Sequence, residues 1–200
     1  MKLISAKPSP FGRKVLVLLH ETGQADSVEV VASAPSPITI DTSITAANPL
    51  GKIPALVRDS GPAIYDSRVI CRYLDAQANA GLYPESRMWD VLTLEATADG
   101  IMDAAILMVY EGRTRPEEKQ HQPWVDGQWS KVARSLSALE TLWLSHLSGP
   151  LDMGQIAVAC ALSYLDFRHP DRNWRNGHDG LAAWHQTFEA RDSMQATRPE

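Results

Sequence analysis

The stretch SPFGRKVLVLLHETG, beginning at Ser9, sets a serine before a proline at the start of a helical pattern. Its oxygen can accept a backbone N–H as an N-cap, with Pro10 sitting where no N–H is needed. Its hydroxyl can also donate to an anion already favoured by the first-turn N–H groups and the helix dipole. The position, at the carboxyl end of a first strand, is one where α/β units commonly bind ligands. A thiolate gains most from such a donor. Holding the ionised sulfur at neutral pH requires a thiol pKa of about 8.5 to fall by one to two units, or roughly 1.4 to 2.7 kcal/mol. One hydrogen bond to a charged group plus a dipole can supply that.

Three further stretches carry comparable potential. In NPLGKIPAL, Asn48-Pro49 and Leu50-Gly51 signal a turn and Ile53-Pro54 precedes a strand. Trans is the prior for any X-Pro bond; a cis bond would turn the Ile53 backbone outward to pair with a peptide-like ligand as an added strand does. In YDSRVI, Asp66 and Ser67 read as a helix cap, and the same two groups could grip an amino acid by its ammonium and carboxylate. Glu95, Asp99 and Asp103 recur at i, i+4 and i+8. Such a row is tolerable if solvated, and otherwise serves to face a cation on a ligand or across a subunit interface. His169, His178 and His185 lack metal-site spacing and are expected on the surface. No P-loop, GxGxxG, GxSxG or HExxH occurs.

The elements that must position these residues change character along the chain. Up to about residue 80, short β-like runs alternate with helical ones. Strands are predicted at Lys2 to Ser5, Val28 to Ala32, Ala55 to Arg58 and Ala63 to Tyr65, the last two forming a hairpin around RDSGP. Helices are predicted from Pro10 to Glu21, where Phe11, Val15, Leu18 and Leu19 share a face, and after Ser67, where Val69, Ile70, Tyr73 and Leu74 do. The Pro-, Ser- and Thr-rich crossing between them has room for one helical turn. After a break at ANAGLYPES the chain is helical throughout: a long helix through Val91 to Met108, another through Trp129 to Trp143, the apolar QIAVACALSYL, and a short one from Trp184 to Ala190. Asp152 and Gln155 are expected to cap the apolar helix reciprocally.

Bulk properties narrow the function. Hydrophobic residues make up 44% of the 200, enough for a core of ordinary size. Nineteen basic residues against 24 acidic, with no dense basic cluster, argue against nucleic-acid binding and a polybasic membrane patch. Cys71 and Cys160 read as buried thiols in a cytosolic protein, and no run of apolar residues is long enough to span a bilayer.

Five segments in order, SPFGRK, NPLGKIPAL, YDSRVICRYLD, ATADGIMDAA and QIAVACALSYLDFR, resemble the cytosolic glutathione transferases, specifically the short bacterial type with serine at the first-helix site. The resemblance implies an α/β thioredoxin-like N-terminal domain over residues 1–79, a linker over 80–86 and an all-α helical bundle over 87–200. It implies a cytoplasmic detoxifying homodimer that binds glutathione as co-substrate and needs no metal, nucleic acid or membrane. Ser9 would hydrogen-bond the glutathione sulfur as the catalytic residue, with Phe11 beside it. Ile53, next to Pro54, would pair with the cysteinyl backbone, Lys52 would meet the glycyl carboxylate, and Asp66 and Ser67 would hold the γ-glutamyl end. Asp99 would reach that end from the partner subunit. Phe11, Met102, Ile106 and Tyr110 would line the pocket of a hydrophobic electrophile between the domains. The same fold also accommodates a non-catalytic glutathione-binding or protein-interaction module, and a glutathione-dependent reductase, isomerase or dehalogenase. Departures from the family pattern include Ser5 where some classes carry a catalytic tyrosine, Asp66 for the commoner Glu or Gln, and Gly12 for a larger residue, which is expected to loosen the first helix or open the site.

Overall fold

The computed structural model describes residues 1–199. The chain forms two compact units, Met1–Met88 joined by the chain from Asp192 onward, and Trp89–Arg191. In the first, β1 (Lys2–Ser5) leads into α1 (Pro10–Glu21), β2 (Glu29–Ala32), the short α2 (Thr42–Ala47), β3 (Ala55–Val57) and α3 (Ser67–Ala78). Among the described residues the strands make one sheet in the order β2-β1-β3. β1 runs parallel to β2, with Leu3 opposite Val30, and antiparallel to β3, with Ile4 opposite Ala55. The expected hairpin shrinks to a single bridge in which Leu56 and Ile64 exchange two 2.9 Å bonds. Pro62 has no N–H to extend the ladder and the α3 cap begins at Asp66, so one pair is all that fits.

α1 forms because Ser9 caps it, Pro10 opens it and Val15, Leu18 and Leu19 are buried on its inner side. Gly23 ends it with φ of 68°. α1 packs on α3, which buries Ile70, Cys71 and Leu74. The segment from Asp192 differs from its expected place in the helical bundle. There α9 (Asp192–Ala196) buries Met194 and packs on α1. The Arg13 guanidinium donates to Met194 O at 3.0 Å and to Thr197 Oγ1 at 3.4 Å. Within the expected linker, Leu82 and Tyr83 are buried and Leu82 N–H donates to Asp75 Oδ1 at 2.8 Å.

The second unit contains α4 (Met88–Thr114), α5 (Gln122–Ala138), a π-turn over Leu139–Trp143, α6 (Leu144–Leu147), α7 (Met153–Arg168) and α8 (Asp179–Glu189). α7 is buried on every side from Met153 to Leu165, which makes it the core of this unit. Gly154 lets it approach α4: a Cβ there would lie 2.9 Å from Leu94 Cβ. Asp152 caps α7 by accepting from Gln155 N–H at 3.2 Å and also meets His146 Nε2 at 2.7 Å. The Gln155 amide nitrogen donates away from the cap, to the carbonyl of Pro150 at 2.9 Å and to those of His146 and Gly149 at 3.3 Å. No helix among the described residues is long and apolar enough to cross a membrane.

Candidate functional site

Strand register brings three of the chemically promising stretches to one edge of the sheet. Ile4 pairs with Ala55, so the end of β1, which leads to Ser9, lies beside Pro54. The Leu56–Ile64 bridge runs antiparallel, so Asp66 and Ser67 return toward the same end of β3.

At α1, Ser9 is half-buried and its Oγ accepts from Gly12 N–H at 3.1 Å. A hydroxyl that accepts still has its own proton to donate. Capping and donation are therefore compatible roles for one oxygen. Phe11, half-buried, is the second residue of the helix. Gly12 has a reason other than the expected loosening. A Cβ at this position would stand 1.9 Å from Ser5 Oγ, so the glycine makes room for the serine ending β1. Ser5 is 1% exposed and its hydroxyl has no hydrogen-bond partner among the described residues.

In the second stretch the Ile53–Pro54 bond is cis. Asn48, buried, organises the approach: its Nδ2 donates to Lys52 O at 2.8 Å, its Oδ1 accepts from Leu50 N–H at 3.0 Å and its carbonyl accepts from Gly51 N–H at 2.8 Å. Gly51 takes φ of 64° to complete the turn. Among the described residues neither the N–H nor the C=O of Ile53 has a partner, and Lys52 is exposed. The role of Asn48 was not seen in the sequence, where it registers only as turn chemistry.

At the third stretch Asp66 caps α3 through Arg68 N–H at 3.1 Å and also receives the Arg68 guanidinium, Nη2 to Oδ2, at 2.9 Å. Burial raises the Asp66 pKa, but hydrogen bonds and charge from Arg68, with the charge of Lys14, outweigh it and leave the carboxyl below its ordinary value. The carboxylate is thus ionised, with Arg68 already on it. Sequence reasoning missed Arg68, although an Asp two residues ahead of an Arg at a helix start is the visible signal. Ser67 is buried at the first position of α3.

The second unit corrects several expectations. The acidic row is not a solvated face: Glu95 and Asp99 are 1% and 7% exposed, and only Asp103 is open. Met102 is fully buried, whereas Ile106 and Tyr110 retain accessible surface. None of the three histidines lies freely on the surface. His185 is 2% exposed and meets Ser163 Oγ at 3.0 Å, His169 Nε2 donates to Ala105 O at 2.9 Å, and His178 Nδ1 meets Trp174 O at 2.7 Å. Each is anchored by a carbonyl or hydroxyl distant in sequence or across a turn, which spacing alone cannot show. Among the described residues no group of His, Cys, Asp and Glu is placed to hold a metal ion.

Comparison with known proteins accounts for this arrangement. Residues 8–77 match the family model "Glutathione S-transferase, N-terminal domain" and residues 122–187 match "Glutathione S-transferase, C-terminal domain". The uncharacterized GST-like protein YibF of Escherichia coli K12 is 33% identical over 204 residues, covering 100% of this chain and 98% of that protein. A glutathione transferase family member from Pseudomonas fluorescens Pf-5, crystallised with bound glutathione, is 50% identical with a TM-score of 0.97, over 100% of this chain and 98% of that one. A second crystal structure of a glutathione transferase family member from Pseudomonas fluorescens Pf-5, with bound S-(propanoic acid)-glutathione, gives 49% identity and a TM-score of 0.93 over 100% of both chains. With its thioredoxin-like first unit, its helical second unit and relatives matched from end to end, the chain belongs to the glutathione S-transferase family.

Proposed function

We propose that the chain binds glutathione at the Ser9 edge, holds its sulfur as a thiolate and transfers it to an electrophile. The observation that carries this reading is the state of Ser9. Its oxygen accepts from Gly12 N–H while its proton stays uncommitted, at the N-terminus of a 12-residue helix. A sulfur anion placed there would receive an O–H donor and the positive end of the helix dipole together. The peptide part of the ligand would pair with the N–H and C=O of Ile53, as an added strand does. Ser67 and the first turn of α3 would take the γ-glutamyl carboxylate and the open side of Asp66 its ammonium, with Lys52 near the glycyl end. Asp99 is more than nine-tenths buried in its own chain, so we leave it out of the proposed binding set. The bound glutathione of a 50% identical relative supports the ligand. The S-(propanoic acid)-glutathione of the other structure, a thioether, supports transfer to carbon over a reductive cycle.

Ser9→Ala tests the proposal. The replacement removes the donor to sulfur and is expected to raise the pKa of bound glutathione by about one to two units, read from thiolate absorbance in an ultraviolet pH titration. An unchanged titration in a variant that still binds glutathione would rule out this role for Ser9.

A further inference from the structure

At the end of β1 the chain places a hydroxyl where a strand packed under a helix ordinarily carries an apolar side chain. Leu3 and Ser5 lie two apart in β1 and so share a face of the sheet. Leu3 is fully buried there, and Ser5 is 1% exposed with an Oγ that has no hydrogen-bond partner among the described residues. Its backbone is fixed: Ser33 N–H donates to Ser5 O at 2.8 Å, and Ser5 pairs with Ala32 across the sheet. An alanine would keep the strand and leave no polar atom unpaired, so the hydroxyl calls for a reason beyond packing.

Its surroundings supply one. A Cβ on Gly12 would stand 1.9 Å from Ser5 Oγ and 3.5 Å from Ser9 Cβ. The two serine side chains thus converge on one glycine, and Ser5 Oγ is no farther from Ser9 Cβ than the sum of those distances. Gly12 presents only C–H to the Ser5 oxygen, a contact that engages a lone pair and leaves the O–H proton without an acceptor. In an interior of low dielectric such a hydroxyl orients in the local field, and its dipole acts beyond hydrogen-bond range.

The start of α1 is short of donors. Pro10 has no N–H, Gly12 N–H is engaged by Ser9 Oγ at 3.1 Å and Arg13 N–H by Ser9 O at 2.9 Å. Of the first turn only Phe11 N–H has no partner among the described residues. An anion at this helix start therefore meets fewer backbone donors than the several that a helix N-terminus usually leaves open.

We infer that the Ser5 hydroxyl is an internal dipole that turns its proton toward an anion held at the Ser9 edge and stabilises that anion without touching it. Ser5 is then a positioning residue, closed to the ligand by its burial. That the anion is a sulfur rests on the glutathione-thiolate reading above. The penalty of an unpaired buried hydroxyl is relieved when the anion is present, so the same group biases the site toward the ionised ligand.

Ultraviolet pH titration of glutathione bound to the unaltered protein, to Ser5→Ala and to Ser5→Ala/Ser9→Ala tests this, paired with isothermal titration of S-methylglutathione, whose sulfur cannot ionise. S5A removes an unpaired group and is expected to fold. It should raise the pKa of the bound thiol by about half a unit, roughly threefold in the ionisation constant, the scale of a dipole acting across a gap. Affinity for S-methylglutathione should be unchanged. Because the dipole acts on the anion directly, the same rise should appear when S5A is added to S9A. An unchanged thiol pKa in S5A, a rise accompanied by weaker S-methylglutathione binding, or a rise that vanishes in the S9A background overturns the inference. If the unaltered protein binds no glutathione or leaves its thiol at the solution value, the thiolate reading fails and this inference falls with it. A pKa lowered equally in the unaltered protein and in S5A leaves that reading standing and removes the role of Ser5 alone.

Discussion

Gly12 and Ser5 show how two residues seven apart can determine each other across layers of the fold. The serine hydroxyl occupies the space a side chain at position 12 would need. Gly12→Ala is therefore expected to destabilise the protein by about 1–3 kcal/mol through overpacking. Ser5→Ala, which removes a buried hydroxyl without a partner, should be neutral or stabilising alone and should recover most of the loss in the double variant. Urea unfolding of the four proteins completes the cycle, and additive effects would disprove the contact. From the sequence, Ser9 was legible because a cap before a proline is a local signal. The purpose of Gly12 was not, because it depends on which strand residue lies beneath the helix. Asn48 and Arg68 fall on the same side of that line, since their types were plain but their targets were set by the fold.

Among the elements, α1, α3, α4 and α7 were legible from hydrophobic spacing and caps, whereas α8 begins at Asp179, well before the expected Trp184. The signal that starts it comes from the π-turn. Glu140 accepts from Gly180 N–H at 3.1 Å and Leu181 N–H at 2.7 Å, capping the helix from about 40 residues away. A Cβ on Gly180 would meet Leu144 Cδ1 at 2.6 Å, so that glycine also serves packing. The end of α7 makes its own pH-dependent contribution through His169. Burial, then the charges of Arg172 and Arg168, hold its pKa below the ordinary 6.5 despite the bond to Ala105 O. The unfolded chain therefore binds the proton more readily than the folded one. This stability is fully present above about pH 6.5 and is lost as pH falls through the lower folded value. His169→Gln keeps a donor for Ala105 O without titrating, so its denaturation midpoint should decline less between pH 7 and 5. Equal declines would refute this contribution.

For the whole molecule, the two-part character was legible in the change from mixed to helical periodicity, but not the return of the chain from Asp192 to the first unit. Periodicity reports a helix without reporting which partner buries it, and α9 is too short to carry a distinctive pattern. A chain ended at Arg191 would take from Arg13 its bonds to Met194 O and Thr197 Oγ1 and from α1 the buried Met194. It should lose about 3 kcal/mol or more, seen in calorimetry as a lower Tm; an unchanged Tm would mean that the segment does not support the first unit.

Those same bonds join residues 181 and 184 positions apart, with the whole helical unit between them in sequence. On the ribosome, the acceptors for Arg13 are therefore made only after the second unit has been translated. Ser9 caps the same helix, so the support of that edge is completed late in synthesis, and a nascent chain halted earlier would display α1 with the Met194 side of its packing still open to water.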